Sequence, residues 1–297
     1  MAGSKEPIGF VGLGNMGAPM ARRLVNAGYE LVVADAIPDA VERFAASNRC
    51  ERAACSKSLG ERCPIVITML PNGYIVRDVL LGADGIAPHL AAGAIAVDMS
   101  SSSPLGTREL AADLARRGIP LVDAPVSGGV KKAADGSLAI MVGGEAAPVA
   151  RVTPILEVMG KVFPTGGCGS GHAMKSLNNF LSAANLAIAA EAVIAGQRFG
   201  LDPANMIAIL NASTGRNTGT DSKFPNNVLP RTFDSGFALG LMAKDLRLAL
   251  EVARSTGAPA GLLELAAQLW TNAEHQLGGK ADNTEIVKYL ESLVPHD

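Results

Sequence analysis

Lys175, Asn178, Asn179 and Ser182 stand at offsets 0, +3, +4 and +7 in an otherwise apolar stretch, the spacing that sets side chains on one face of a helix. An amine beside carboxamides can move a proton to or from a small polar substrate. Oxidation of an alcohol needs a group that takes the hydroxyl proton as hydride leaves the same carbon, and that returns it in the reverse direction. Lys175 is the residue suited to that task, because an amine reaches the useful range when it is buried or set beside another positive charge. Asn179, one turn along, is suited to holding a substrate hydroxyl or carboxylate, with Asn178 supporting its geometry. A solvated helix face would give the same pattern. The position of this stripe, directly after the glycine-rich segment Gly166-Gly-Cys-Gly-Ser-Gly171, favours function, since a cleft between two domains is expected there.

A hydride also needs an acceptor. The segment Ile8 to Gly17 carries an apolar run into Gly12-x-Gly14-x-x-Gly17 and then into the helical Met20-Ala-Arg-Arg-Leu-Val. Strand, glycine turn and helix in that order is what a dinucleotide pyrophosphate requires: one glycine for the turn, one for close approach of the phosphate, one for helix–strand packing. Asn15 and Met16 lie inside the turn. A second apolar run, Glu30 to Ala34, ends in Asp35, 18 residues after Gly17, near where an acidic residue bonds the adenosine ribose. Its carboxylate would repel a 2′-phosphate, and no arginine follows at Ala36 or Ile37, so NAD is expected over NADP. The competing reading is an ordinary tight turn followed by a solvated strand end.

A third group, Asp123-Ala-Pro-Val-Ser-Gly-Gly-Val130, follows a strand at its carboxyl end, where open α/β sheets hold ligands. The Ser127 hydroxyl and the unobstructed amides of Gly128 and Gly129 are equipped to cradle a carboxylate, unless the segment is only a Pro-Gly turn. Lys244-Asp245, on an amphipathic helix, read in isolation as surface charges. His89, His172, His275 and His296 show no mutual spacing that would make a metal site or a Ser-His-Asp triad, so no metal is expected.

The elements that must position these residues fall into two domains. Apolar runs at Ile65 to Leu70, Ala94 to Asp98, Pro120 to Ala124 and Leu138 to Gly144, with a short last one at Val162-Phe163, read as strands. Helical segments over 37–47, 74–81 and 104–117 alternate with them, which predicts a doubly wound parallel sheet over residues 1–167. Beyond it strand signals vanish. His172 to Phe199 holds no proline and one glycine and predicts a helix of about 40 Å linking the domains. Further helices over 203–213, 238–256, 259–276 and 282–293 complete an all-helical domain over 168–297, the last opening on the capping box Asp282-Asn-Thr-Glu285.

A chain of 297 residues is long enough for two such domains. A net charge of −2 with 18% charged residues leaves no basic surface of the kind nucleic acid demands. Aromatics at 4% predict an aliphatic core with close helix contacts through alanine and glycine. Four cysteines without C-x-x-C spacing read as reduced thiols of a cytoplasmic protein. The apolar N-terminal run is broken by glycines and is no signal peptide, and the Ala-rich segment 180–195 is broken by Ser182, Asn185 and Glu191, so no membrane partner is expected.

Taken together, the turn Gly12 to Gly17, Asp123-Ala-Pro-Val-Ser-Gly-Gly, Gly169-x-Gly171-x-x-x-Lys175-x-x-Asn178-Asn179 and Lys244-Asp245-Leu246 resemble the β-hydroxyacid dehydrogenase family over nearly the whole chain. The resemblance implies a Rossmann domain, an all-helical domain and an active site between them. It implies that Lys175 is the catalytic lysine, that Asn179 fixes the substrate, and that Ser127, Gly128 and Gly129 bind its carboxylate. Leu70, Pro71, Asn72 and Ser101 fall where such enzymes contact the cofactor, and Lys244 matches a lysine that reaches towards it. Ser101 replaces the more usual threonine and keeps the hydroxyl. A homodimer or homotetramer formed through the helical domain is also implied. The expected activity is reversible NAD-dependent oxidation of a small 3-hydroxy acid to a semialdehyde or keto acid, and Arg216 in Ser213-Thr-Gly-Arg-Asn-Thr is a further residue that would select among acids. A silent dinucleotide-binding interaction protein and an imine reductase are the alternatives, and the presence of Lys175 with Asn179 weighs against both.

Overall fold

The computed structural model of the protein describes residues 6–295. His296 lies outside them. The chain forms two compact units, the first running to Lys175 and the second starting at Ser176.

In the first unit, β1 (Ile8–Val11), α1 (Gly17–Asn26), β2 (Leu31–Ala34), α2 (Pro38–Ser47), β3 (Glu51–Arg52), α3 (Ser56–Arg62), β4 (Ile65–Thr68), α4 (Gly73–Leu81), β5 (Ile95–Asp98), α5 (Pro104–Ala115) and β6 (Leu121–Asp123) alternate along the chain. β7 (Val126–Ser127), α6 (Gly129–Asp135), β8 (Leu138–Gly143), α7 (Ala146–Leu156) and β9 (Gly160–Gly166) follow. The strands order as β3-β2-β1-β4-β5-β6-β8-β7, with β9 on β8, and every pairing from β3 to β6 is parallel. The chain therefore leaves β1 towards β2 and β3, then returns to β4 on its other side. That reversal opens a crevice beyond the carboxyl ends of β1 and β4, where such sheets bind their ligands. β1, β4 and β5 are buried along their whole length, as parallel strands covered on both faces must be. One face packs Phe10, Met20, Leu24 and Ile67 into the main core. The other packs Leu80, Ala96, Leu110 and Leu114.

The doubly wound parallel sheet is as expected from β3 to β6, and beyond it β8 runs antiparallel to both β6 and β7. Val126 pairs with Ile140 and Asp123 with Gly143, so β8 returns alongside the strand it has just left. The seven residues of α6 span only about 10 Å, too little for the crossover that a parallel return needs. The last strand is also longer than the expected Val162-Phe163. It covers Gly160–Gly166 and pairs in parallel with β8 after the α7 crossover.

α8 (Ser170–Phe199) begins in the first unit and continues through the second, which also holds α9 (Pro203–Asn211), α10 (Leu239–Thr256), α11 (Gly261–Leu277) and α12 (Ile286–Ser292). Asp282 and Glu285 form the expected capping box, but it caps a single 3-10 turn, Asn283–Glu285, that leads into α12. α8 is long and apolar enough to cross a membrane by length and composition. Here Ala183, Leu186, Ala189, Ala190 and Val193 join Trp270, Phe224 and Met242 in the core of the second unit. Alanines at the contacts let helices approach closely, which is how so aromatic-poor a chain closes a core. Gly219–Val228, with no expected structure, forms a π-helical segment that contains Pro225.

Candidate active site

The turn after β1 shows why its glycines are where they are. Gly12 takes φ +103°, a value that L side chains rarely adopt, and a Cβ on it would collide with the Met69 carbonyl oxygen at the end of β4. A Cβ on Gly17 would overlap the Gly12 carbonyl oxygen, so α1 packs against the turn at a distance only glycine allows. Gly14 differs from both: a Cβ there would meet nothing within 4 Å. The fold has no need of glycine at that position, while an anion approaching the backbone does. α1 begins with Met16 as an N-cap that supplies no side-chain hydrogen bond, and its first turn has no acidic residue. Its N-terminal end is thus left with positive dipole character.

Asp35, just past β2, is turned back to this loop. Its Oδ2 accepts from the Leu13 amide at 2.6 Å and its Oδ1 from the Ile37 amide at 2.8 Å. A carboxylate has capacity for about four such bonds, so it can still accept from ribose hydroxyls. A cavity of about 350 Å³ opens beside it, lined by Asp35, Ala36, Cys55, Asp78, Asp84 and Ile86 among others. These features fit the adenosine and pyrophosphate of a dinucleotide.

The loops after β4 and β5 lie side by side. The Leu70 amide donates to Ser100 Oγ at 2.9 Å, and a Cβ on Gly73 would come within 3.0 Å of the Ser102 side chain. Leu70, Pro71, Asn72 and Ser101 are therefore gathered at the carboxyl edge of the sheet. The Asn72 side-chain oxygen is already engaged as the N-cap of α4, accepting from Ile75 at 3.0 Å. Ser127 ends β7, Gly128 is the N-cap of α6 and Gly129 its first residue, at φ 136° and 69°. The expected glycine turn is thus also a helix start.

On α8, Lys175 and Asn179 are buried, at 9% and 5% exposure, while Asn178 and Ser182 are half-buried. In the second unit the Asn179 amide donates to Asp245 Oδ2 at 2.6 Å, Asn178 donates to Asn179 Oδ1 at 3.1 Å, and Lys244 Nζ lies 3.6 Å from Asp245 Oδ1. The reading of Lys244-Asp245 as surface charges is thereby corrected. Asp245 is 1% exposed and anchors Asn179. A carboxylate on the core face of an amphipathic helix was the available signal, because it must have partners when buried. Arg216 is exposed and paired with Asp221 at 3.1 Å.

Asp98 and Asp123, at the carboxyl ends of β5 and β6, are also buried and carry roles that spacing did not reveal. Asp123 accepts from the Gly169 amide at 2.7 Å and the His172 amide at 2.9 Å, so it caps the N-terminus of α8 from a separate strand. Such a cap contributes about 1 kcal/mol.

The cysteines differ in environment. Burial pushes the Cys63 thiol up to about 11 and the Cys168 thiol up to about 12. Exposed Cys55 is lowered by hydrogen bonds from Ser58 at the start of α3. More thiolate at a given pH means faster alkylation. Iodoacetamide at neutral pH should therefore modify Cys55 first and leave Cys63 and Cys168 unmodified in the folded protein, as read by peptide mass spectrometry. Equal labelling of Cys55 and Cys168 would contradict these environments.

The first 163 matched positions, residues 7–169, fit the family model described as the NAD binding domain of 6-phosphogluconate dehydrogenase. Residues 169–290 fit that described as NAD-binding of NADP-dependent 3-hydroxyisobutyrate dehydrogenase. The chain is 37% identical to 2-(hydroxymethyl)glutarate dehydrogenase of Eubacterium barkeri, over 96% of this chain and 95% of that one. It is 38% identical to the mitochondrial 3-hydroxyisobutyrate dehydrogenase of Mus musculus, over 98% and 89% respectively. Among solved structures, that of Mycobacterium tuberculosis 3-hydroxyisobutyrate dehydrogenase with L-serine superposes with a TM-score of 0.89 at 32% identity, over 96% of this chain and 99% of the other.

Proposed function

The chain belongs to the β-hydroxyacid dehydrogenase family and is an NAD(P)-dependent oxidoreductase acting on CH–OH groups, and from that premise we propose that it interconverts a small 3-hydroxy acid and its semialdehyde or keto acid with NAD, using Lys175 as general acid and base. The observation that carries this reading is the pair Lys175 and Asn179, buried one turn apart on an apolar helix. Lys175 Nζ takes the hydroxyl proton in oxidation and returns it in reduction. Asn179 has its oxygen engaged by Asn178 and one N–H engaged by Asp245, so its second N–H is the one that holds a substrate oxygen. Ser127, Gly128 and Gly129 cradle the carboxylate.

When bound, NAD supplies the ring that exchanges hydride with the substrate carbon. The protein's part is to hold that cofactor: Asp35 bonds the ribose, Gly12, Gly14, Asn15, Met16 and Gly17 receive the pyrophosphate, and Leu70, Pro71, Asn72, Ser101 and Lys244 add contacts. Asp35, Asp78 and Asp84 around the cavity favour NAD over NADP, because three carboxylates oppose a 2′-phosphate.

We further propose division of labour between a cofactor-binding domain, residues 1–167, and a substrate and oligomerisation domain, residues 168–297. Assembly as a homodimer or homotetramer through α8 is supported by Leu181 and Ile188, on one helix face and 59% and 56% exposed. The four free cysteines fit the reducing cytoplasm.

A panel of 3-hydroxyisobutyrate, 2-(hydroxymethyl)glutarate, L-serine and glycerate, assayed with NAD and NADP, tests the function. Turnover of at least one acid with NAD preferred is expected, and no NAD reduction with any of them would remove the proposed substrate class.

A further inference from the structure

His172, which the arrangement of histidines left without a role, is buried at the first turn of α8, three residues before Lys175. Its Nε2 donates to the Ser100 carbonyl at 3.2 Å, and its Nδ1 shares a hydrogen bond of 2.8 Å with Thr107 Oγ1 on α5. Thr107 Oγ1 also lies 2.9 Å from the Ser103 carbonyl, which accepts from the Thr107 amide at 2.8 Å. The backbone amide of His172 donates to Asp123. One residue thus ties the start of α8 to the loop after β5, to α5 and to the end of β6.

The same Ser100 that accepts from the imidazole accepts, through its hydroxyl, from the amide of Leu70. Asp98 holds this loop rigid: its Oδ1 accepts from the Ser100 amide at 2.9 Å and from Thr68 Oγ1 at 3.0 Å, and its Oδ2 from Ser102 Oγ at 2.7 Å. Asp98 Oδ2 and Asp123 Oδ2 lie 3.6 Å and 3.8 Å from the ring nitrogens. A fully bonded buried network of this kind has one low-energy arrangement, because any rotation of α8 would strand several polar groups without partners.

We propose that His172 is a positioning residue for Lys175, setting the rotation of the first turn of α8 at which the amine is presented. This rests on the reading of Lys175 as the proton-transferring group. Such a group must be held within a few tenths of an ångström of its productive geometry. Asp123 fastens the backbone at the helix end, and the imidazole, reaching sideways to the loop after β5 and to α5, resists any roll of the first turn about the helix axis.

The test compares His172→Leu, His172→Gln, Thr107→Val and Lys175→Ala, with whichever panel acid the wild-type enzyme turns over. His172→Leu is expected to lower kcat by about 100-fold, the cost of misplacing a reacting group by about 1 Å, while the Kd for NAD changes by less than about twofold. His172→Gln keeps a donor that reaches Ser100 and should recover about tenfold of that loss. Thr107→Val should fall between the two. Amide hydrogen exchange of residues 169–176, measured without cofactor, should quicken in His172→Leu and return towards wild type in His172→Gln.

If Lys175→Ala is inactive but His172→Leu keeps wild-type kcat, the positioning role is overturned and the role of Lys175 stands. If His172→Leu and His172→Gln lose kcat and NAD affinity equally, the residue is merely structural and the proposal is again overturned. If Lys175→Ala keeps normal turnover, the reading of Lys175 is lost, and with it anything for His172 to position.

Discussion

Lys175→Ala is expected to lower kcat by about 100-fold to 10,000-fold, the range that a single general acid–base group contributes, while leaving the Kd for NAD near its wild-type value. The residues proposed to receive the cofactor's ribose and pyrophosphate, Asp35 and the turn Gly12 to Gly17, hold their places through bonds and contacts that do not involve Lys175. The amine is 9% exposed on a helix whose first turn is fastened by Asp123, so its removal should alter proton transfer more than fold. Steady-state kinetics with the best acid of the panel, together with NAD titration followed by intrinsic fluorescence, would check both halves. A variant that retained wild-type kcat would exclude Lys175 from the chemistry.

The second large effect divides the glycines of the turn by what each one does. Gly12→Ala places a side chain at φ +103° and against the Met69 carbonyl, which should destabilise the protein by about 2–4 kcal/mol whether or not NAD is present. Gly14→Ala meets no neighbour within 4 Å and should leave thermal unfolding within about 0.5 kcal/mol of wild type. Its methyl group would stand where the pyrophosphate approaches, so the Kd for NAD should rise by at least about tenfold, or 1.4 kcal/mol. Calorimetric unfolding and NAD titration of the two variants should therefore show opposite patterns. Unchanged NAD affinity in Gly14→Ala would move the pyrophosphate away from this turn.

Much of the local geometry of this candidate site is legible in the sequence. Gly12, Gly17 and Asp35 work through local geometry, a turn between consecutive elements and a strand end beside it, and local geometry leaves its mark on spacing. The i, i+4 relation of Lys175 and Asn179 is legible for the same reason, since helical periodicity alone sets them on one stripe. Some elements were hidden by their own residues. α7 carries Pro154 in its interior, and the π-helical segment holds Gly219 and Pro225, residues that ordinarily mark loops. β3 is two exposed residues, Glu51 and Arg52, too short for any pattern.

What spacing could not convey is which distant polar groups meet. His172 lies 65 residues from Thr107 and 72 from Ser100, yet bonds both. Asn179 lies 66 residues from Asp245, and Asp123 49 from the amide it caps. The pairings of His172 and Asp123 depend on the strand order that brings the carboxyl ends of β5 and β6 to the start of α8, and that of Asn179 depends on the meeting of α8 and α10 in the second unit. Periodicity and glycine geometry are short-range properties that a chain carries in its own order of residues. Buried hydrogen-bond partners are chosen by the folded packing, where each polar group taken from water must find its complement among neighbours that the linear order never adjoins.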